Sequence, residues 1–319
     1  MASTIRLTFI GTGGSWPVPG RAMPAIALQI DSTVNLLDCG EGTQKRIMRS
    51  RISFMQVDNI FLTHFHGDHF LGILGMIQSM SFNGREKPLH IFGPIRARQI
   101  LNNALNVGYY TLGFDIHIHE LMPGQTVNFP GFSVTTFKND HPVPAISYMF
   151  REPDLVKVDR SKVDALGIPS RKIEQIRSQG YAIIEGRRYT LDEIAAGVKV
   201  GRRIVYTGDT RPMESMKEFV KGVDVLIHET TTDSSFEPQV NEFGHSSSRQ
   251  AAEIARDAGV GRLFLFHYSP RINDLDVLLR EARSIFPESY LSREFLEFDV
   301  PSPGKLLELP QDHLTRMRD

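Results

Sequence analysis

Short apolar runs alternate with polar stretches along the whole chain. "IRLTFI" (5–10), "AIALQI" (25–30) and "TVNLLD" (33–38) are too short for helices and rich in β-formers, so they predict strands. "NIFLT" (59–63), "LHIFGP" (89–94), "FDIHIHEL" (114–121) and "FSVTTFKND" (132–140) continue the series. It resumes with "RRIVYTGDT" (202–210), "VDVLIHET" (223–230) and "RLFLFHYS" (262–269). Longer stretches between them predict helices: the polar "GEGTQKRIMRS" (40–50), the apolar "FLGILGMIQSM" (70–80), "IRARQILNNAL" (95–105), "SSRQAAEIARDAG" (247–259) and a segment around 273–285. Strands in runs with helices between them, in both halves, predict a layered α/β sandwich rather than a barrel or a bundle.

Residues 151–201 break this rhythm. They are charged and poor in aromatics, and they separate two strongly apolar stretches. They hold ten Lys/Arg and eight Asp/Glu, and five of the ten basic residues fall within 171–188. The expectation is an inserted arm on a single domain spanning 1–319, helical at "SRKIEQIRSQ", with Arg171, Lys172 and Arg177 as its basic face.

Composition narrows the class. With 319 residues, 41% of them hydrophobic, the chain can bury a large core. A net charge of -1 rules out a polycation, so any nucleic-acid surface must be local. The single cysteine, Cys39, excludes an intramolecular disulfide and fits a reducing compartment. No run reaches the roughly 18 apolar residues a membrane helix needs. The expectation is a soluble, cytoplasmic protein with no membrane partner.

The candidate chemistry sits in "THFHGDH" (63–69), between the strand "NIFLT" and an apolar helix. A histidine-rich surface loop is the plain alternative. A strand-to-helix turn is where side chains converge, and His64, His66, Asp68 and His69 share that turn. Three more metal-type groups directly follow strands: His141, Asp209 and His267. Seven nitrogen and oxygen donors can hold two cations if one carboxylate bridges. Asp209, from a separate strand, is the natural bridge. One cation would take His64, His66, His141 and Asp209; the other Asp68, His69, His267 and Asp209. Imidazole with carboxylate and no thiolate suits Zn²⁺, with Mn²⁺ or Fe as rivals. Two such cations about 4 Å apart acidify a water and stabilise an in-line displacement. Asp68 can also accept the water's proton. His245 in "FGHSSS" (243–248) is the candidate acid, and Glu229 in "HETT" can hold its imidazolium.

Other features are weaker. "GTGGSWPVPG" (11–20) begins like a dinucleotide loop, but Trp16 stands where the third glycine belongs and Pro17 and Pro19 forbid a helix, so it predicts a tight loop. His117 and His119 alternate on one strand and predict solvated positions. His90 lies inside a strand, and His313 lies in the polar C-terminal stretch. His228 is a supporting residue behind the site, and Cys39 a small buried one.

The cluster resembles the core of the metallo-β-lactamase superfamily. Combined with "YTGDT" (206–210), "HETT" (228–231), "FGHSS" (243–247) and "FHYSPR" (266–271), it resembles the ribonuclease Z family of tRNA 3′-processing endonucleases along the whole chain. The resemblance implies a four-layer αββα sandwich, two zinc ions and a homodimer in which one subunit's arm grips the tRNA elbow while the other cuts. It implies removal of the 3′ trailer from precursor tRNA, leaving a 3′-hydroxyl. The family's arm carries a Gly-Pro-rich tip, of which Gly167-Ile168-Pro169 remains here. Its Pro-x-Lys-x-Arg-Asn loop is replaced by "PGRAMP" (19–24), so the cleavage position does not carry over.

Two other classes share parts of this pattern. A small-molecule metallohydrolase (phosphodiesterase, thioesterase or lactonase) would have the cluster but needs no basic arm and no "HETT" with "GHSS". A metal-free RNA-binding protein on the same fold would not need all seven donors.

Overall fold

The computed structural model describes residues 4–109 and 111–302; His313 lies outside them. Six strands open the chain: β1 (Ile5–Gly11), β2 (Ala25–Ile30), β3 (Thr33–Leu37), β4 (Val57–Phe61), β5 (Leu89–Gly93) and β6 (Ile116–Glu120). Between and after them lie α1 (Thr43–Ile47), α2 (Gly67–Phe70), α3 (Gly72–Phe82) and α4 (Ala97–Leu105). β7 (Thr126–Phe129), β8 (Phe132–Lys138) and β9 (Ile146–Arg151) begin a second sheet. An inserted unit follows, with β10 (Leu155–Val158), α5 (Arg160–Ala165), α6 (Ser170–Gln179), β11 (Tyr181–Ile184), β12 (Arg187–Thr190), α7 (Leu191–Ile194) and β13 (Ala195–Lys199). The second sheet resumes with β14 (Arg203–Tyr206), β15 (Val225–Glu229), β16 (Leu263–Phe266) and β17 (Ser289–Leu291), among α8 (Glu214–Phe219), α9 (Glu237–Glu242), α10 (Ser248–Ala258) and α11 (Asp276–Ile285). β18 (Glu297–Asp299) returns to the first sheet beside β1.

Each main sheet has seven strands, ordered β18-β1-β2-β3-β4-β5-β6 and β17-β16-β15-β14-β9-β8-β7. Inner strands such as β1, β4, β15 and β16 are buried on both faces, which explains their near-continuous apolar runs. Between the sheets, Phe9, Phe61, Phe92, Tyr148, Phe150, Phe264 and Phe266 form one core. Phe61 stacks on Phe92 at 4.7 Å and meets Phe150 edge-on at 5.0 Å. Each such buried ring contributes about 2–3 kcal/mol in lost apolar surface. A second core lies between the first sheet and α1, α3 and α4, through Ile60, Ile73, Met76, Ile77 and Leu101. A third lies between the other sheet and α8, α10 and α11. On α10 the buried face is mostly alanine, and Ser247 caps its first turn by accepting from Gln250 N–H. Three cores between four layers make the αββα sandwich.

The inserted unit has its own small core of Val163, Ile168, Ile176, Ala182 and Ile194. Its outer strands β10 and β13 pair, with Leu155 opposite Lys199. The unit is thus narrower than the 151–201 charge pattern, because Arg151 still belongs to β9 and pairs with Arg203. It also contains two antiparallel strand pairs that charge patterning does not reveal. At its root the half-buried Glu152 carboxylate takes a two-pronged bond from Arg202, at 2.6 and 2.8 Å. Arg202 also donates to Val300 O at 2.6 Å, tying the root to the chain after β18. Removing either partner would strand the other's charge, at a cost of about 3–5 kcal/mol.

The parallel strands decide where a site can form. β3 to β6 run parallel in the first sheet, and β14 to β17 in the second. Crevices beyond the carboxyl ends of such strands collect functional side chains. β8 ends at the same edge, being antiparallel to β9, which is antiparallel to β14.

Candidate metal centre

Every candidate donor lies just past a carboxyl end on that edge. β4 delivers Thr63 and His64. The chain then stays extended at His66, which precedes the short α2 carrying Asp68 and His69. β8 leads to His141, β14 to Asp209, and β16 to His267. Two glycines make the convergence possible. Gly208 has φ +61°, and a Cβ there would lie 2.5 Å from the Thr63 side chain. A Cβ on Gly14 would lie 2.4 Å from the His267 ring.

The structure brings all seven residues together. Donor atoms of His64, His66, His141 and Asp209 lie within 4.8 Å of one another, as do those of Asp68, His69 and His267. Asp209 stands between the two sets. Its Oδ2 is 3.6 Å from His64 Nε2 and 3.4 Å from His69 Nε2, and its Oδ1 is 3.4 Å from His267 Nε2.

Outer hydrogen bonds fix which ring nitrogens face inward. His141 Nδ1 donates to Gly244 O at 2.9 Å. Thr63 Oγ1 donates to Asp38 and accepts from His64 Nδ1 at 3.0 Å. His69 Nδ1 donates to Asp38 at 2.7 Å. His267 Nδ1 lies 3.4 Å from Thr231 Oγ1, which donates to Glu229. The inward ring nitrogens crowd together: His64 Nε2 is 3.1 Å and His141 Nε2 3.2 Å from His66 Nδ1, and His69 Nε2 is 3.2 Å from His267 Nε2. Asp209 Oδ1 is buried with no hydrogen-bond donor. Inward-facing ring nitrogens crowded around an unmatched carboxylate oxygen suit a cation, and this nitrogen and oxygen set fits Zn²⁺, Mn²⁺ or Fe.

The crowded charges also shift the ionisation of these groups. Burial alone would lower the His69 pKa, but Asp209, Asp68 and Asp38 raise it well above the usual imidazole value. Burial, aided by His69, drives His64 well below it. Burial opposes ionisation of Asp68, yet His69 and His267 hold its carboxyl well below the usual range.

His245 sits beside this set, its ring 5.4 Å from those of His141 and His267. Its Nδ1 donates to Glu229 Oε1 at 3.1 Å. Burial would lower its pKa, but Glu229, helped by Asp209, pushes it up to about 9. Glu229 is itself held by Thr210 N–H at 3.0 Å and Thr231 Oγ1 at 2.9 Å. His245 is also within 4.8 Å of donors on Asp209 and His267, so the Glu229 bond, rather than distance, sets it apart from the ligand groups.

Sequence reasoning missed Asp38. It is fully buried and also accepts from Thr63 N–H at 2.7 Å and from Tyr206 OH at 2.7 Å. The signal was present, since an acid directly after the strand "TVNLL" has the same placement as Asp209. His228 does not support the site. Strand alternation turns it to the other face, where Nδ1 bonds Glu229 O at 2.7 Å. His119 is not simply solvated, because it stacks on Phe92 at 4.5 Å and faces His90 at 3.1 Å. Those residues line a cavity of 770 Å³ that none of the seven donors touches. On α6, Arg171 is exposed, Lys172 bonds Gln175 Oε1 at 2.9 Å, and Arg177 lies 3.7 Å from Glu174. Sequence reasoning also missed the pairing of Arg188 with Tyr181 and of Arg187 with Tyr189, 4.1 and 4.7 Å from the ring centres.

Known proteins resemble this chain in sequence and fold. Residues 175–268 match a family model described as a beta-lactamase superfamily domain, and residues 5–155 one described as anti-Pycsar protein Apyc1. A ribonuclease Z from Thermoplasma acidophilum is 62% identical over 300 residues, covering 94% of this chain and 98% of that protein. The chain belongs to the ribonuclease Z family. Human tRNase Z, short form, has the same fold with a TM-score of 0.69 at 25% identity, covering 93% of this chain and 99% of that one. The metallo-beta-lactamase fold protein YhfI from Bacillus subtilis also has a TM-score of 0.69, at 20% identity, over 93% of this chain and 100% of its own; that likeness is one of fold alone. Ribonuclease Z membership decides against the small-ester hydrolase and the metal-free RNA binder.

The Asp38 bonds generate a test. Asp38→Asn keeps the shape but removes the charge behind His69. Zinc affinity of the folded protein, measured by competition with a chromophoric chelator, should fall about 10- to 100-fold, and the melting temperature should fall with it. Undiminished affinity would mean that Asp38 only packs.

Proposed function

We infer how this ribonuclease Z family member, a metal-dependent tRNA 3′-processing endoribonuclease, removes the 3′ trailer. The carrying observation is the convergence of seven nitrogen and oxygen donors, with Asp209 between two sets and the His245–Glu229 pair beside them. His64, His66, His141 and Asp209 would hold one cation, and Asp68, His69, His267 and Asp209 the other. Two Zn²⁺ ions suit these donors, with Mn²⁺ or Fe as substitutes. Bound there, they would acidify a water and neutralise charge on the scissile phosphate.

The chain's own groups supply the proton transfers. Asp68 takes the proton that the attacking water loses. The phosphorus–oxygen bond to the tRNA 3′-oxygen breaks, and His245 gives that oxygen its proton. The tRNA keeps a 3′-hydroxyl and the trailer leaves with the phosphate. Glu229 holds the ring and balances its charge in a buried place, where a fixed carboxylate acts strongly.

The inserted unit, residues 155–199, would act as an arm that binds the tRNA body. Arg171, Lys172 and Arg177 on α6 would meet phosphates, a contact read by shape and charge rather than by sequence. A homodimer would let one subunit's arm serve the other's site. The apolar side chains left in water along α2 and α3, Leu71 and Phe82, support such a contact. No helix among the described residues is long and apolar enough to cross a membrane. A cytoplasmic location accords with the buried, unpaired Cys39.

Three outcomes are expected. Asp68→Ala should abolish cleavage of 3′-extended tRNA and leave tRNA binding in a filter assay within about threefold; wild-type turnover by the metal-loaded variant would remove Asp68 from the reaction. Because Leu155 and Lys199 are paired neighbours, a short glycine linker can replace the segment between them. That variant should lose far more activity on 3′-extended tRNA than on bis(p-nitrophenyl) phosphate, and equal losses would deny the arm its role. Light scattering should give twice the chain mass of 36.0 kDa, and a single monomer peak would exclude the shared site.

A further inference from the structure

Trp16 is the only tryptophan of the chain, and 48% of it is exposed. Its loop is neither free nor remote. Gly14 N–H donates to Tyr268 O at 3.0 Å, and Tyr268 N–H donates to Thr12 O at 3.1 Å. Arg21 reaches across to Ser269 O at 3.0 Å and Ile272 O at 2.7 Å. These bonds lace the loop to the segment that follows His267. Ser15, next to the tryptophan, has the left-handed φ of 67°, and its N–H donates to Asp68 Oδ2 at 2.7 Å. Trp16 N–H then bonds Gly14 O at 2.9 Å, closing a tight turn. Trp16 therefore stands one residue from a direct bond to the candidate metal centre, on a pinned backbone. Arg271, four residues after His267, places its guanidinium 5.7 Å from the centre of the indole ring.

An exposed indole with a cation on it has little use for a compact phosphate ester. It suits a ligand that brings both a flat π-face and negative charge. A single-stranded RNA end has both, because its unstacked bases can lie on an aromatic ring while its phosphates meet arginine. The pinned turn lowers the entropy lost when a base settles there. We propose that Trp16, with Arg271 against its ring, is the stacking platform for a nucleobase flanking the scissile phosphate in the single-stranded 3′ end of the substrate. This rests on the proposed function above. It also gives the departure at "GTGGSW" a purpose: the ring that breaks a nucleotide-type glycine loop reads the end of an RNA.

A lone tryptophan makes its own fluorescence the reporter. Titrating the wild-type holoenzyme with tRNA that ends at the discriminator base should quench the emission in a saturable way. Trp16→Ala should lower kcat/KM for 3′-extended tRNA about tenfold more than for bis(p-nitrophenyl) phosphate, and Trp16→Phe should restore most of the difference. Unchanged emission while tRNA binds, or equal losses on both substrates, would overturn the platform. An emission change on dilution without RNA would show a second copy of the chain on the ring, which also overturns it. If the wild-type holoenzyme fails to cut 3′-extended tRNA, the functional reading falls and the platform falls with it.

Discussion

The carboxylate of Asp38 is the point on which the two halves of the molecule and its chemistry depend. One residue beyond β3, it accepts from Thr63 on the first sheet, from Tyr206 on the second, and from His69 in the histidine turn. A buried acid is costly unless its oxygens are matched, and here both are. The sheets approach each other through aromatic packing, which is strong but tolerant of sliding. The Asp38 bonds are directional, so they set the register between the sheets at the edge where the donors meet. The same charge orients His69, and through His69 it reaches Asp209.

The donor cluster follows the opposite logic. Within the protein alone it is poorly satisfied, with ring nitrogens facing ring nitrogens and one oxygen of Asp209 unmatched. The rigid sandwich holds these groups in opposition, an arrangement that a bound cation would relieve. Stability and chemistry are thus divided between two carboxylates a short distance apart. Asp38 is fully matched inside the protein, and Asp209 is kept for what binds.

Much of this is legible in the sequence, and the remainder is hidden for identifiable reasons. His64, His66, Asp68 and His69 are legible because a single turn holds them. His141, Asp209 and His267 are legible because each follows an apolar strand. Asp38 obeys the same rule, but it stands beside a cysteine and a glycine turn, with no neighbouring ligand to draw the eye. The short strands β7 and β17 carry too few residues to show a period, and β9 is hidden because its apolar run merges with the charged segment after it. Within the inserted unit, β11 and β12 are half solvated and joined by Glu185-Gly186, so charge masks their alternation. His119 misled because alternation predicts the face of a strand, not what the neighbouring sheet lays against it.

The pairing at the base of the inserted unit has a consequence for how the chain folds. An excursion of this length would ordinarily burden the closure of β9 onto β14. The entropic penalty grows only with the logarithm of loop length, by about 0.6 kcal/mol per doubling. The β10–β13 stem and the Arg202–Glu152 bond bring the two ends together locally, so the sheet closes as though the excursion were short. Its own apolar centre and paired stem are the features of a segment that opens as a local unit, without the sheets having to part.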